Sequence, residues 1–273
     1  MKFSLSGARG ILLLSLFYTF SSSALEVSGE WQQGAVIRGT VDAGVTLTFM
    51  DKNVRISPEG NFVLGLGRDT GPEVVLHSRD KSGERQHVYT VKPREYRIQR
   101  VDGVPSKTVN PNKEQVERSR AEARLVWKAR QRDEARTDFL TDFTWPLKGP
   151  ITGVYGSQRV YNGEPRRPHY GVDVAAPTGT VVVAPAGGLV TLTHDNMFFS
   201  GGTLIIDHGH GLTSAFIHLS KILVKPGDQI VQGQPIAEVG ATGRVTGPHL
   251  DWRMSWFDQR VDPQLLVGEM PAQ

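Results

Sequence analysis

Hydrophobic and polar positions alternate along this chain with three different rhythms. From residue 25 to about 103, short runs of β-branched and aromatic residues alternate with turn clusters. Segments 36–41, 45–49, 62–64, 74–76 and 86–91 read as strands, and Ser57-Pro58-Glu59-Gly60-Asn61 reads as a turn. This spacing predicts a small β-sandwich over 25–103, most simply a spacer or binding module. From 113 to 136 the chain has no Gly or Pro and is rich in Glu, Arg, Ala and Leu. That stretch predicts one exposed helix of about six turns, with Asn110 as N-cap and Pro111 at the first helical position. Val116, Ala123, Val126 and Trp127 are its expected packed stripe. Residues 104–142 thus read as a linker with a charged helix, a solvated connector rather than a nucleic-acid contact. From 143 to 273 short apolar runs recur at 181–183, 189–192, 203–206, 214–217 and 235–239, separated by Gly-rich turns. No helical period appears there, so this segment reads as an all-β domain. The expected fold is mainly β: an N-terminal sandwich, a connecting helix and a C-terminal β domain.

The first 24 residues follow another pattern. Lys2 and Arg9 precede or flank a short apolar run at 11–20, and Ser22-Ser23-Ala24 follows. This is the layout of a secretory signal, cleaved after 24. The run is about half the roughly 20 residues that a membrane span needs, and no later segment is apolar enough to span. The expectation is an exported protein, periplasmic or extracellular, with no membrane span after signal removal. Removing those residues leaves 29 basic against 28 acidic side chains, so the charge balance gives no argument for nucleic acid. The chain has no Cys. Disulfides, cysteine chemistry and a lipid-anchored cysteine are therefore excluded, and any metal must be held by His, Asp or Glu.

Three segments carry such residues in a suggestive order: His169-Tyr170-Gly171-Val172-Asp173, Phe216-Ile217-His218-Leu219-Ser220 and Gly247-Pro248-His249-Leu250-Asp251-Trp252. Together they offer three imidazoles and two carboxylates, enough for a hydrolytic site of about three ligands, an open position and a base. In a strand, His169 and Asp173 would be about 13 Å apart, so for both to reach one metal ion the chain must bend, with Gly171 as the permissive residue. His249 and Asp251 would share one strand face about 7 Å apart. His208 and His210, in a Gly-rich stretch, read as turn and surface residues, and His194-Asp195-Asn196 as another turn.

These motifs give the segment from about 143 to 263 a specific resemblance. Residues 169–180, 216–220, the Gly-containing hairpin 224–234, and Gly240-Ala241-Thr242-Gly243 leading to Gly247-Pro248-His249-Leu250 resemble the lysostaphin-type (LytM-like) peptidoglycan metalloendopeptidases. The resemblance implies one Zn²⁺ per chain held by His169, Asp173 and the residue two after His249. It implies His249 as general base and His218 as stabiliser of the oxyanion. The substrate it implies is a peptide cross-link of peptidoglycan, by analogy the D-alanyl–diaminopimelate type.

The chain departs from the family where His-x-His becomes His249-Leu250-Asp251. Aspartate can ligate zinc, but two carboxylates cancel the cation's charge. Arg253, where the family often has Glu, is expected to pair with Asp251 or to return positive charge. The alternative reading is a catalytically impaired relative that binds the wall or activates another hydrolase. A regulatory protein partner is compatible with either.

Overall fold

The computed structural model describes residues 25–101 and 112–271; the expected leader and the Asn110-Pro111 helix start lie outside them. The N-terminal strands form two small antiparallel sheets. One runs Leu25–Ser28, Val36–Val41, Asn61–Gly65; the other runs Lys52–Val54, Thr46–Phe49, Glu73–Asp80, Gly83–Thr90. Side chains alternate across them, as period-2 geometry requires. Ile37, Leu47, Phe49, Phe62, Leu64 and Leu76 are buried between.

This core does not stop at the sandwich. Phe49 lies 5.9 Å from the ring of Trp256. Gly65 backs onto the same residue so closely that a Cβ there would come within 2.4 Å of Trp256 Cβ. Arg94 reaches the buried Asp262 at 2.9 Å, and Asp262 N donates to Gly34 O at 2.7 Å. The sandwich is packed onto the strand that carries the candidate site.

The main sheet has the order Gln229–Ile230, Gly188–Met197, Gly201–Asp207, Leu212–Leu219, His249–Trp256, Gly171–Ala175, Ile151–Gly153, with Gln259–Val261 also paired to His249–Trp256. One face carries Val172, Leu204, Phe216 and Trp252 into the core. The two central strands are buried on both faces, because a helix covers the other side.

That helix, Lys113–Arg130, differs from expectation at both ends. Asn112 is its N-cap: it accepts from Gln115 N at 2.9 Å while Gln115 Oε1 accepts from Asn112 N at 2.9 Å. This reciprocal box satisfies two otherwise orphaned donors. The helix stops at Arg130, about five turns. It is not a solvated connector, and Trp127, expected in its packed stripe, is 54% exposed. Ala123 is exposed too; the covered positions include Val116, Ser119, Glu122, Val126 and Ala129. Val126 and Ala129 pack on Leu192, Ile205 and Ala215, and Glu122 accepts from Phe198 N at 2.8 Å. The stripe was misread because its middle is polar, and Glu122 earns its place by pairing a backbone donor.

His208 and His210 also correct the sequence reading. They sit in a turn but not at the surface, being 0% and 2% exposed. Phe143 and Phe139 pack against their rings at 5.0 and 4.6 Å. Burial pushes both down to about 4. His194 lies within the strand Gly188–Met197, beside a register shift, rather than in a turn.

Candidate functional site

Two neighbouring strands bring the two acids face to face. Asp173 and Asp251 are register partners in the antiparallel pair of Gly171–Ala175 with His249–Trp256. His169 reaches them from the segment before its strand. Its Nε2 is 3.0 Å from Asp173 Oδ1 and 3.3 Å from Asp251 Oδ2. One ligand atom from each of His169, Asp173 and Asp251 lies within 4.8 Å of the others.

The bend that allows this is complete before Gly171. His169 N donates to Ser157 O and Gly156 N to His169 O, both at 2.8 Å, and Gly171 already opens the strand. Its lack of a side chain serves a different need. A Cβ there would fall 2.4 Å from Asp251 Oδ1 and 2.6 Å from Arg253 Cγ. Gly171 is a close-approach glycine, not the hinge expected from sequence.

His249 stands two before Asp251 on the same strand, and its Nε2 is 3.9 Å from Asp173 Oδ1. His218 arrives by a less regular route. Its neighbour Ile217 ends the ladder opposite Asp251, so strand alternation alone would send His218 to the core face with Phe216. His218 instead adopts φ +67°, and its N donates to Ser200 O at 2.8 Å. A non-glycine residue in this region is strained, a cost that clusters at functional sites. The outcome is a ring 4.9 Å from that of His249. All five residues singled out from sequence therefore meet.

The three rings share one orientation device. The Nδ1 of His169, His218 and His249 faces a main-chain carbonyl, of Val154 at 3.2 Å, Thr242 at 2.9 Å and Gly247 at 2.9 Å. In the neutral ring, donation from Nδ1 leaves Nε2 with a free lone pair. Such carbonyl partners fix tautomer and ring direction in ligating histidines. None of the three carbonyls was legible from the motifs.

Charge is arranged as tightly. Asp251 is 2% exposed. It accepts from Arg253 Nε at 2.9 Å and Nη2 at 2.5 Å, the pairing expected from sequence. Burial opposes ionisation of Asp251, but Arg253 and His169 hold it well below the usual carboxylate range. Burial also pulls His169 down, and the two carboxylates outweigh it, lifting His169 to about 10. Burial, chiefly, lowers His218.

This group fits a divalent cation. Asp173 Oδ1 is buried and makes no hydrogen bond of acceptable geometry, although it faces His169 Nε2. An imidazole lone pair and two carboxylates that converge this way form an N/O donor set suited to zinc. A cation and a proton would compete for His169 Nε2, and the proton is held up to about pH 10. Zinc binding at neutral pH is thus expected to release close to one proton, and affinity to rise about tenfold per pH unit between pH 6 and 8. Calorimetry in buffers of different ionisation enthalpy reads this directly. Zero proton release would remove His169 from the ligand set.

Comparison with known proteins agrees with the geometry. A sequence model of peptidase family M23 matches residues 167–263. A crystal structure from Pseudomonas aeruginosa, described as a peptidase M23, superposes with a TM-score of 0.69 at 31% identity, covering 88% of this chain and 96% of that one. The peptidoglycan DD-endopeptidase ShyA of Vibrio cholerae is 41% identical over 102 residues, 34% of this chain and 24% of ShyA. The murein hydrolase activator EnvC of Escherichia coli is 36% identical over 124 residues, 45% of this chain and 28% of EnvC. The chain thus spans about a quarter of the length of these two relatives. With most of both chains aligned to the Pseudomonas structure, and the motif segment inside the family match, this chain belongs to peptidase family M23.

Proposed function

We propose that this chain is an exported, zinc-dependent endopeptidase that hydrolyses peptide cross-links of peptidoglycan, of the D-alanyl–diaminopimelate type. The observation that carries this reading is the convergence of His169, Asp173 and Asp251 beside the His218–His249 pair. Similarity to a DD-endopeptidase supports the substrate class. In this reading residues 143–273 are the peptidase domain, 25–103 an accessory module, and 104–142 a linker that includes the helix.

His169, Asp173 and Asp251 would hold one zinc ion, which would supply polarisation of a carbonyl and acidification of water. His249 is the general base. Its Nδ1–H is engaged by Gly247 O, so Nε2 receives the proton. His218 in its neutral form also presents a lone pair. It can donate to an oxyanion only once Nε2 is protonated, a form that burial disfavours. Arg253 offsets the charge of Asp251, so two carboxylates and one guanidinium surround the cation. The net charge is then that of a site with a single carboxylate.

A specific observation favours a second reading, an impaired relative that activates another hydrolase. Asp251 occupies the third-ligand position and is already clamped by Arg253, and one relative is named a murein hydrolase activator. Digestion of purified sacculi separates the two. The zinc-loaded protein should remove cross-linked muropeptide dimers, and His249→Ala should be slower by about 10²–10⁴-fold, the usual worth of a positioned base. Identical muropeptide profiles from both proteins would favour the activator.

A further inference from the structure

Beyond Asp251, the same strand face continues into Arg253 and Ser255. Ser255 is the register partner of Arg260, whose Nη1 donates to Ser255 Oγ at 3.1 Å. The Arg260 guanidinium lies 5.9 Å from the ring of Tyr170. From the last turn of the covering helix comes Arg130, 8% exposed. Among the described residues neither its Nε nor its Nη1 has a hydrogen-bond partner. Arg167, exposed, stands two before His169.

Ala129, the residue before Arg130, packs on Ala215, the register partner of Arg253, so the end of the helix stands over this face. Arg130 is repelled by Arg167 and Arg253, and Arg260 by Arg130, Arg253 and Arg167. The carboxylates that oppose them are few. Asp251 is shared between Arg253 and His169. Asp258, which attracts Arg130, is also held by Lys52 at 3.4 Å and Gln131 at 2.7 Å. Burial first, and then the neighbouring guanidiniums, push Arg260 well below the ordinary range. Buried cations with unused donors are costly unless an anion completes them. Arg253 and Arg260 are only partly covered, so such an anion can come from solvent.

We propose that Arg130, Arg253 and Arg260, with Arg167 at the rim, form a carboxylate-binding subsite. It would receive the free carboxylate on the amine side of the scissile amide. The assignment rests on the peptidoglycan reading above. In a D-alanyl–diaminopimelate cross-link, the amide nitrogen is borne by a carbon that also carries a free carboxylate. That group therefore lies two bonds from the nitrogen to be released. Arg253 is two residues from Asp251 on one strand face, about 7 Å along the strand, a separation of the right order. Planar guanidinium forks match carboxylates in pairs. Arg253 spends Nε and Nη2 on Asp251 and keeps Nη1; the anion meets Arg253 and Arg260 at the surface, and Arg130, buried with Nε and Nη1 unpaired, adds its positive charge from beneath.

The test is equilibrium binding to the zinc-loaded full chain. The probe is a D-alanyl–diaminopimelate peptide made resistant by N-methylation of the scissile amide. It is offered as the free acid and as the carboxamide at the carboxylate beside that nitrogen. The acid should bind at least tenfold tighter. Arg130→Gln and Arg260→Gln should each cut this preference below threefold by weakening the acid alone. Arg260→Gln serves if Arg130→Gln does not fold. Equal binding of acid and carboxamide, or an undiminished preference in the variants, overturns the proposal. Inorganic phosphate bound through these arginines, with the two peptides binding alike, would mark a free-anion site and also overturn it. The sacculus digestion reports separately on catalysis. Discrimination without hydrolysis keeps the subsite and removes the enzyme; hydrolysis without discrimination does the reverse.

Discussion

Asp251→Ala is expected to lose zinc by at least a hundredfold in affinity, and hydrolysis with it. Outer partners of metal ligands already cost 10–100-fold when removed, so a direct ligand should cost at least the upper end. Asp251 is the only one of the three ligand candidates that is fully buried. It also holds His169 Nε2 at 3.3 Å from the second strand. Its loss therefore takes away a ligand atom and half of the carboxylate pair that orients His169. Competition with a chromophoric chelator measures the affinity, and metal analysis after dialysis measures the stoichiometry. Full zinc retained at one per chain would remove Asp251 from the ligand set. Asp251→His tests the same position from the other side, since it puts an imidazole where the carboxylate stands. It should keep zinc only if Arg253, which would then face an imidazole, is also replaced.

Much of this site was legible in the sequence, for physical reasons that can be named. His249 and Asp251 were placed on one face by the two-residue period of a strand, and they lie so in His249–Trp256. A bend between His169 and Asp173 followed from asking both to reach one cation, which an extended path forbids. The bend, however, lies before Gly171. The real demand on that residue comes from Asp251 and Arg253, some 80 positions away in sequence. No local pattern reports such a long-range approach. The direction of His218 was hidden in the same way. Only its left-handed backbone, set by Ser200 and the end of the ladder, turns the ring out of the core face.

The helix shows the other limit. Composition located it and its charge was plain, but its partner surface on Ile205 and Ala215 is a tertiary fact. A polar stripe that includes Ser119 and Glu122 reads as solvent-facing until the Phe198 N–H that Glu122 pairs is in place. Arg130 was unremarked for that reason, as one basic residue among many in a charged run. His208 and His210 looked exposed because glycines flank them, whereas Phe139 and Phe143 cover them.

Arg253→Ala should destabilise the metal-free protein by about 3–5 kcal/mol, the usual cost of breaking a buried ion pair by deleting one partner. Asp251 would remain buried, with His169 as its one charged hydrogen-bond partner among the described residues. The direction with pH follows from the depressed pKa of Asp251, held down by Arg253 and His169 against burial. A carboxyl lowered in the folded state contributes stability above its unfolded pKa of about 3.9, and loses that contribution as pH falls through the folded value. The deficit of Arg253→Ala is therefore full at neutral pH and shrinks toward pH 3, where the variant's Asp251 takes up a proton. For a chain of this size the neutral-pH loss corresponds to roughly 10 °C in Tm. Added zinc should recover more stability in the variant than in the parent, because the cation replaces the missing positive charge beside Asp251. Thermal unfolding with EDTA and with zinc at pH 7 and pH 3.5 contains all four comparisons. An unchanged Tm in EDTA at pH 7 would show that Asp251 does not depend on Arg253, and the charge compensation argued for this site would fall with it.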